Sequence, residues 1–301
     1  MAIDSTAPES STADSGVTLA LAGGGLRALA HLGVLQVLER EGIAVRAVAG
    51  TSMGGLLGAL LAAGMPLATI EREIAGLLAW RRLLRLIDLR LGRWGLVLRG
   101  ARVHALLARL LADRQFADLG LPLAVVASDL ESGCAVVLRA GAVADAVRAT
   151  ISVPGVFEPF VSGRLRLVDG GLLDNLPVGA ARALGPWPVV AVDVLPHFRA
   201  NTPGGERVVP PLRAAYAPRR LRDALHRTMM MIAESTALRL ALEPPALLLR
   251  PAVPSEVTLL FGKNRTGEII AAGRAAAAAQ LPRLRELARV PPGASRAKND
   301  A

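Results

Sequence analysis

Cysteine and aromatic residues are scarce in this sequence. Its 301 residues include a single cysteine, Cys134, and only 3% are Phe, Trp or Tyr. One cysteine cannot form an internal disulfide, which excludes a disulfide-stabilised scaffold and suits a reducing compartment. A core with so few aromatic side chains must be built mainly from Leu, Val and Ala. Cys134 lies in an apolar, strand-like run, so we expect its side chain to be buried.

Long apolar runs are absent as well. No run reaches the ~20 residues of a transmembrane helix. The nearest candidate, residues 80–98, is interrupted by five arginines. Residues 1–16 are rich in Ser, Ala and Pro and lack the basic and apolar regions of a signal peptide. We therefore expect a cytoplasmic protein, one that could also touch the inner face of the membrane.

Positive charge is in excess but dispersed. The formal net charge is +10, yet no dense run of Lys and Arg with interleaved aromatics occurs, so we expect no nucleic-acid partner. The excess could still attract an anionic phospholipid surface. The acidic residues Asp129 and Glu131 have no His or Cys at metal-ligand spacing, and we predict no metal and no cofactor. The sequence leaves the oligomeric state open.

Strand-like and helix-like segments alternate along the chain. Residues 1–16 and 292–301 have the composition of disordered tails, which leaves one domain over 17–291. Within this domain, short apolar runs such as 17–22 and 45–49 alternate with segments of helical periodicity, the last of which predicts a single helix over about 267–287. Continuously apolar strands separated by helices are typical of a parallel sheet covered on both faces. We predict an α/β fold, a three-layer α/β/α sandwich with a mainly parallel central sheet.

A serine stands at a predicted sharp turn. Residues 50–54, Gly-Thr-Ser-Met-Gly, form a G-x-S-x-G motif between a strand-like run, 45–49, and a helix-like run, 56–63. A serine on such a turn presents its hydroxyl above the sheet, and the flanking glycines permit tight packing. It also lies at a helix N-terminus, where unpaired N–H groups favour developing negative charge. Ser52 is therefore the candidate nucleophile.

A glycine-rich loop follows the first strand. Residues 23–27, Gly-Gly-Gly-Leu-Arg, open a helix, and their successive N–H groups can converge on a tetrahedral oxyanion. Arg27 could orient this loop or lie near the developing charge. The competing interpretation is a phosphate-binding turn. It is disfavoured because Ala28 stands where G-x-G-x-x-G needs its last glycine, and no Walker lysine follows.

The base that would activate Ser52 has two candidates. A Ser-His-Asp hydrolase needs its histidine on a late loop, and only His197, in a Pro- and Gly-rich loop after a strand, fits that position. The other histidines lie in helix-like segments: His31, His104 and His226. The alternative is Asp169, which ends a strand before Gly170 and Gly171. A partly buried carboxylate with a raised pKa can accept a serine proton directly.

Four blocks of the sequence resemble the patatin-like phospholipase family, in its bacterial cytosolic branch. They are residues 19–27 (LALAGGGLR), 50–55 (GTSMGG), 149–159 (ATISVPGVFEP) and 169–178 (DGGLLDNLPV). Each block alone is weak, but all four in this order are specific, and the resemblance covers roughly residues 17–290. The sequence departs from the family pattern at Ala28, where the family usually has glycine.

The resemblance implies a serine lipid acyl hydrolase of the phospholipase A, lysophospholipase or esterase type that needs no calcium or other metal. Ser52 would be the nucleophile and Asp169 the base of a Ser-Asp dyad. The oxyanion hole would be formed by the backbone N–H groups of Gly24, Gly25 and Leu26. Supporting positions are Arg27, Gly50, Gly54, Gly170 and Gly171. Two alternatives stay open: a Ser-His-Asp esterase or thioesterase that uses His197, and a low-turnover regulatory or scaffold protein on the same fold.

Two further segments could border the site. Residues 80–94 have the pattern of a basic amphipathic helix, which could pack as a cap over the sheet edge or lie on a phospholipid surface. Met229, Met230 and Met231 could line an acyl pocket. Three consecutive helical residues cannot all face one way, however, and we expect them to fill the core.

Overall fold

The computed structural model describes residues 15–77, 84–92, 95–196, 221–254, 256–257 and 263–290. Ten strands lie within these residues: β1 (Val17–Leu21), β2 (Val45–Thr51), β3 (Leu89–Gly92), β4 (Gly95–Leu98), β5 (Leu123–Asp129), β6 (Ala135–Leu138), β7 (Phe160–Ser162), β8 (Leu165–Asp169), β9 (Val189–Val192) and β10 (Leu247–Leu249). Eight of them form the central sheet, in the order β10-β9-β1-β2-β5-β8-β7, with β6 also paired to β5. Strands β3 and β4 form a separate antiparallel hairpin.

Five strands of the central sheet run parallel. The pairs β10–β9, β9–β1, β1–β2 and β2–β5 are all parallel, whereas β6 and β8 are antiparallel to β5 and β7 is antiparallel to β8. Every residue of β1, β5 and β9 is buried, as expected for strands covered on both faces. The prediction of an α/β fold with a mainly parallel central sheet is confirmed.

Helices flank this sheet. They are α1 (Ala30–Arg40), α2 (Met53–Ala62), α3 (Leu67–Leu77), α4 (Ala101–Leu110), α5 (Val143–Thr150), α6 (Val178–Arg182), α7 (Leu221–Leu242), α8 (Thr266–Ala279) and α9 (Leu281–Ala288). Helix α2 packs on β2 and β5, α5 on β5, and α6 on β1, β2 and β9, while α8 packs along α1. The core is built from Leu, Val, Ile and Ala, as the composition predicts.

The antiparallel strand β8 meets the parallel strand β2 end to end. On β5, Val125–Ser128 pair with β6, so β2 and β8 must share the opposite edge of β5. Along that edge Thr51, the last residue of β2, pairs with Val126, and Asp169, the last residue of β8, pairs with Ala127. The carboxyl ends of two strands that are distant in sequence therefore converge at one point of the sheet.

Three local predictions differ from the structure. Part of the segment predicted as an amphipathic helix is the β3–β4 hairpin, and only residues 84–86 of its described part are helical. Its residues 80–83, 93 and 94 lie outside the described residues. Cys134 is exposed rather than buried, because it lies in the turn that joins β5 to β6. The single helix predicted over 267–287 is two helices, which divide at Gln280 just before Pro282.

The predicted tails lie outside the described residues, apart from Ser15 and Gly16. The single domain over 17–291 therefore stays a prediction. Within the described ranges, no helix combines the length and the apolar character needed to span a bilayer.

Candidate active site

Ser52 occupies the turn between β2 and α2. Its backbone has φ 53° and ψ −125°, a conformation that residues other than glycine rarely adopt. Such a backbone is characteristic of a strained strand-to-helix turn that carries a nucleophile. The residue is only 8% exposed and borders a pocket. The turn predicted from the G-x-S-x-G motif is therefore present.

The glycines on either side of Ser52 permit two close backbone contacts. A β-carbon on Gly50 would lie 2.5 Å from the carbonyl oxygen of Gly54, and one on Gly54 would lie 2.3 Å from the carbonyl oxygen of Leu21. Both separations are far below a van der Waals contact. Only glycine therefore allows the first turn of α2 to fold back on β2 and to pack against the end of β1.

The hydroxyl of Ser52 contacts the carboxylate of Asp169, which is 117 positions further along the chain. Its Oγ donates a hydrogen bond of 2.6 Å to Oδ2 of Asp169. The other carboxylate oxygen, Oδ1, accepts a hydrogen bond of 2.8 Å from the N–H of Gly171. Both carboxylate oxygens are thus fixed, and no other side chain lies between the acid and the hydroxyl.

Burial changes the acidity of Asp169. The side chain is only 8% exposed, and loss of hydration raises its pKa from 3.8 to about 6. Hydrogen bonds from Ser52 and Gly171 act in the opposite direction, because they stabilise the charged form. A carboxylate with a pKa near 6 is largely ionised at neutral pH and is more basic than an ordinary aspartate, which suits a general base.

The glycine-rich loop lies directly beside Ser52. A β-carbon on Gly23 would be 3.0 Å from Cβ of Ser52, so this loop approaches the nucleophile as closely as a glycine permits. The following residues, Gly25–Leu29, form a short 3₁₀ helix. Within the described part of the chain, no acceptor takes the N–H groups of Gly24, Gly25 or Leu26. These groups are therefore available to an oxyanion beside Ser52.

Arg27 connects the glycine-rich loop to two distant segments of the chain by hydrogen bonds. Its buried guanidinium donates to the carbonyl oxygens of Val194, at 2.6 Å, and of Pro254 and Val257, at 3.0 and 3.1 Å. Burial lowers the pKa of Arg27 to about 10, and the nearby Asp193 partly offsets this effect. Of the two roles that the sequence suggested, the contacts favour orientation of the loop.

Ala28 departs from the family pattern but fits its surroundings. The residue is fully buried in the core, within the 3₁₀ helix. Its methyl group is therefore accommodated, and the glycine loop still reaches Ser52.

Three polar residues support the turn, and sequence reasoning assigned none of them a role. The N–H of Ser52 donates to Oγ1 of Thr150, at 2.8 Å. The hydroxyl of Thr51 donates to the carbonyl oxygen of Asp174, at 2.8 Å. The side-chain amide of Asn175 donates to the carbonyl oxygen of Gly23, at 3.4 Å. All three residues lie within the sequence blocks 149–159, 50–55 and 169–178 that carry the family resemblance, which was the signal available in the sequence.

Ser52 and Asp169 border a small apolar pocket of about 80 Å³. Gly24 also lines this pocket, and most of its other lining residues are apolar: Val153, Pro154, Leu172, Leu195, Met229 and Ile232. The methionine triplet is thus divided, since Met229 is buried at the pocket and Met231 is 74% exposed. The expectation that the triplet fills the core is confirmed for Met229, which also borders the pocket, and is wrong for Met231. The side chain of Met230 lies outside the described residues.

Neither of the histidines with a described side chain contacts Ser52. His31 is fully buried, its Nε2 lies 2.8 Å from the carbonyl oxygen of Ala22, and burial lowers its pKa to about 4. Nε2 of His104 lies 2.6 Å from Oδ1 of Asp145, at the α4–α5 contact. His197 lies outside the described residues, as does the side chain of His226.

A comparison with protein-family models matches residues 19–182 to the family described as patatin-like phospholipase. The chain belongs to the patatin-like phospholipase family. The matched residues contain Ser52, Asp169 and the glycine loop, and they include the four sequence blocks on which the resemblance depended.

Curated relatives of this patatin-like chain include bacterial and mammalian proteins. An uncharacterized NTE family protein of Mycobacterium bovis is 36% identical over 179 residues, which are 59% of this chain and 49% of that protein. Patatin-like phospholipase domain-containing protein 6 of Mus musculus is 33% identical over 186 residues, 59% of this chain and 13% of that protein. The chain thus spans about half the length of the first relative and a small part of the second.

One solved structure with a similar chain is that of VipD from Legionella pneumophila. It is 14% identical in sequence and aligns with a TM-score of 0.48 over 90% of this chain and 67% of its own.

Proposed function

We propose that this protein is a serine hydrolase of lipid acyl esters that uses Ser52 and Asp169 as a catalytic dyad. The observation that carries the proposal is the 2.6 Å hydrogen bond from Oγ of Ser52 to Oδ2 of the buried Asp169. Membership of the patatin-like phospholipase family supports lipid hydrolysis as the reaction class. The apolar pocket around the dyad suits an acyl chain.

The first half of the reaction acylates the serine. Oγ of Ser52 attacks the ester carbonyl carbon while its proton passes to Oδ2 of Asp169. The carbonyl oxygen becomes an oxyanion, and the N–H groups of Gly24, Gly25 and Leu26 stabilise it. When the intermediate collapses, the bond from carbon to the leaving oxygen breaks, and the proton on Asp169 moves to the departing alcohol. Ser52 is left as an acyl ester.

The second half releases the acid. Asp169, again ionised, takes a proton from a water molecule that attacks the acyl-enzyme carbonyl. The same N–H groups stabilise the second oxyanion. Collapse breaks the bond to Oγ, and Asp169 returns its proton to that oxygen. The products are a carboxylic acid and regenerated Ser52, so one carboxylate serves as base and then as acid in each half.

Hydrolysis of a short p-nitrophenyl ester tests the dyad. We expect Ser52→Ala and Asp169→Asn each to reduce kcat/KM by at least about 10³-fold, because losses of this size are typical when one residue of a catalytic dyad or triad is removed. The exposed residues Ser162 and Asp113 provide matched controls, and Ser162→Ala and Asp113→Asn should retain full activity. Full activity of the Asp169→Asn protein would refute the dyad.

His197→Ala separates the dyad from a triad. If Asp169 is the base, this variant keeps its activity, whereas a loss as large as that of Ser52→Ala would assign the base role to an imidazole.

A fluorophosphonate probe separates an enzyme from a scaffold. We expect the probe to label the wild-type protein and not Ser52→Ala, because only an activated serine reacts. A folded wild-type protein that resists the probe would favour the scaffold.

A further inference from the structure

A second cleft, larger than the pocket at Ser52, combines cationic and apolar side chains. It has a volume of about 420 Å³ and lies between the end of α3, the short helical segment 84–86 and one side of α4, from Arg102 to Arg109. We call it the arginine cleft, and six of its lining residues define it: Arg85, Arg102, Arg109, Leu77, Leu86 and Leu106. No catalytic residue proposed above belongs to it.

The three guanidinium groups of the arginine cleft have no carboxylate partner among the described residues. Arg102 donates to the carbonyl oxygens of Arg85 and Ile87, at 3.3 and 2.8 Å, which position its side chain without neutralising its charge. The neighbouring Asp88 accepts from the N–H groups of Gly100 and Arg102 instead. The cleft therefore combines three guanidinium groups, none of them paired with a carboxylate in the described part of the chain, with apolar lining residues.

Exposed leucines adjoin this cleft. The segment that contains Arg85 continues into β3 and presents a row of apolar side chains to solvent, which we call the leucine edge: Leu84, Ile87, Leu89 and Leu91. Leu89 is 62% exposed and Leu91 is 80% exposed. Four exposed large apolar side chains thus fall within eight consecutive residues, 84–91, and a concentration of this kind is typical of contact surfaces.

We propose that the arginine cleft binds the phosphate group of an anionic phospholipid in a membrane surface, with the leucine edge inserted beside it. Guanidinium groups form paired hydrogen bonds with phosphate oxygens, and leucine side chains gain free energy when they leave water for the acyl region. A nucleic acid would offer phosphate but no partner for exposed leucines. The net charge of +10 adds long-range attraction to an anionic surface.

The β3–β4 hairpin is hydrogen-bonded to a loop that also contributes residues to the Ser52 pocket. The N–H of Leu98, at the end of β4, donates to the carbonyl oxygen of Val156, and the N–H of Glu158 donates to that of Leu98, both at 2.8 Å. The same loop contains Val153 and Pro154, which line the pocket. A membrane bound through the hairpin is thus joined to the pocket wall by a short, ordered connection.

Vesicle co-sedimentation tests the cationic half of the proposal. We expect the full chain to sediment with phosphatidylcholine vesicles that contain phosphatidylglycerol and to stay in solution with phosphatidylcholine alone. Arg85→Gln/Arg109→Gln should weaken partitioning about 30-fold, since each cation near an anionic surface contributes about a fivefold factor. Arg102 is left intact because of its backbone contacts. The matched control, Arg164→Gln/Arg289→Gln, removes the same charge from two exposed positions elsewhere and should bind nearly as well.

Leu91→Ser tests the apolar half. It should weaken binding to the anionic vesicles about tenfold or more, because the transfer of a leucine side chain out of water is worth at least about a factor of ten in partitioning. Leu242→Ser, at an equally exposed leucine (83%) at the end of α7, should not change binding. Hydrolysis of the short soluble ester by all these variants should equal that of the wild type, which shows that they fold.

Several results would overturn the proposal. If both double variants lost vesicle binding to the same extent, binding would depend on the net charge of the protein and not on the arginine cleft. Binding of free decanoate or inorganic phosphate without any vesicle binding would make the cleft a site for a soluble anion. A dimer that Leu91→Ser dissociates, with no vesicle binding, would make the leucine edge a contact between two copies of this chain. Co-sedimentation can also be measured with the Ser52→Ala protein. Its outcome therefore does not depend on whether Ser52 and Asp169 hydrolyse lipid.

Discussion

The backbone N–H of Ser52 donates a hydrogen bond of 2.8 Å to the side-chain oxygen of Thr150, the last residue of α5. The hydroxyl of Thr150 in turn donates to the carbonyl oxygen of Val126 on β5. One buried hydroxyl thus joins the turn of the proposed nucleophile to the strand along which β2 and β8 meet. Thr150 touches no reacting atom, so its expected role is to position Ser52.

Removal of this hydroxyl should reduce the reactivity of Ser52. Thr150→Val keeps the shape but leaves a buried N–H and a buried carbonyl oxygen unpaired, and each such group costs about 1–3 kcal/mol. We expect a roughly 10- to 100-fold fall in kcat with little change in KM, a slower reaction with fluorophosphonate, and a lower melting temperature. Thr150→Ser restores the hydroxyl and should recover most of the labelling rate. Failure of Thr150→Ser to recover it would show that the methyl group, not the hydrogen bond, matters.

The pH profile of hydrolysis should report Asp169. Burial raises its pKa to about 6, and only the ionised form can accept the serine proton. The value of kcat/KM should therefore fall as the pH drops through about 6, with a slope of one proton. Rate measurements with a p-nitrophenyl ester from pH 4.5 to 8.5, read at a wavelength independent of p-nitrophenol ionisation, check this. A profile that is flat down to pH 4.5 would contradict an aspartate base with a raised pKa.

The same raised pKa should make Asp169 a source of instability at neutral pH. The folded state binds this proton more tightly than the unfolded state, so the contribution to stability falls as the pH rises from 3.8 through about 6. Asp169→Asn removes that penalty and should raise the free energy of unfolding at pH 8 by at most about 3 kcal/mol, the equivalent of the pKa difference. The gain should vanish near pH 4. Urea unfolding at both pH values measures it.

Asp129 offers a control of opposite sign for that experiment. Hydrogen bonds from the N–H of Arg166 and from Ser132 hold the pKa of Asp129 below 3.8. Its ionised form therefore stabilises the fold above pH 3.8, and this contribution is lost as the pH falls through the depressed pKa. Asp129→Asn should lower stability at pH 8. If both Asn variants were destabilised at pH 8, burial of the Asp169 charge would not be the dominant effect.

Acyl-chain preference should depend on Met229. This side chain is buried at the apolar wall of the Ser52 pocket, whereas Met231, two residues later, points to solvent. Met229→Ala enlarges the pocket and should raise the ratio of kcat/KM for octanoyl over butyryl esters about tenfold, since one methylene in an apolar pocket changes discrimination by about 10–200-fold. Met231→Ala is the matched control. A shift of the same size in both variants would remove Met229 from the acyl pocket.

The strands and the nucleophile turn follow from local patterns. The apolar runs predicted as strands at 17–22 and 45–49 correspond to β1 and β2 within a few residues. The G-x-S-x-G motif predicts the turn at Ser52 because its glycines are needed wherever two backbones approach this closely. Such features depend on a few neighbouring residues, which is why one sequence suffices to predict them.

Surface segments were predicted less well. The stretch 80–94 has leucines and arginines at helical spacing, yet its residues 89–92 pair as a strand with 95–98. The secondary structure of a surface segment depends on which distant residues pair with its backbone N–H and C=O groups. Here β4 is hydrogen-bonded to Val156 and Glu158 of a distant loop. Cys134 shows the same limitation, because strand-like residues around it do not reveal that a turn separates β5 from β6.

The sequence by itself determined the parallel sheet, the serine at its turn and the glycine loop beside it, since each is encoded within a few adjacent residues. Only the tertiary structure brings Asp169 into contact with Ser52, and neither histidine whose side chain it describes, His31 or His104, touches that hydroxyl. That contact requires β8 to run antiparallel to β5, so that its last residue stops where β2 ends. The direction and register of strand pairing are set by contacts between residues far apart along the chain. A local sequence pattern therefore does not predict that direction or register.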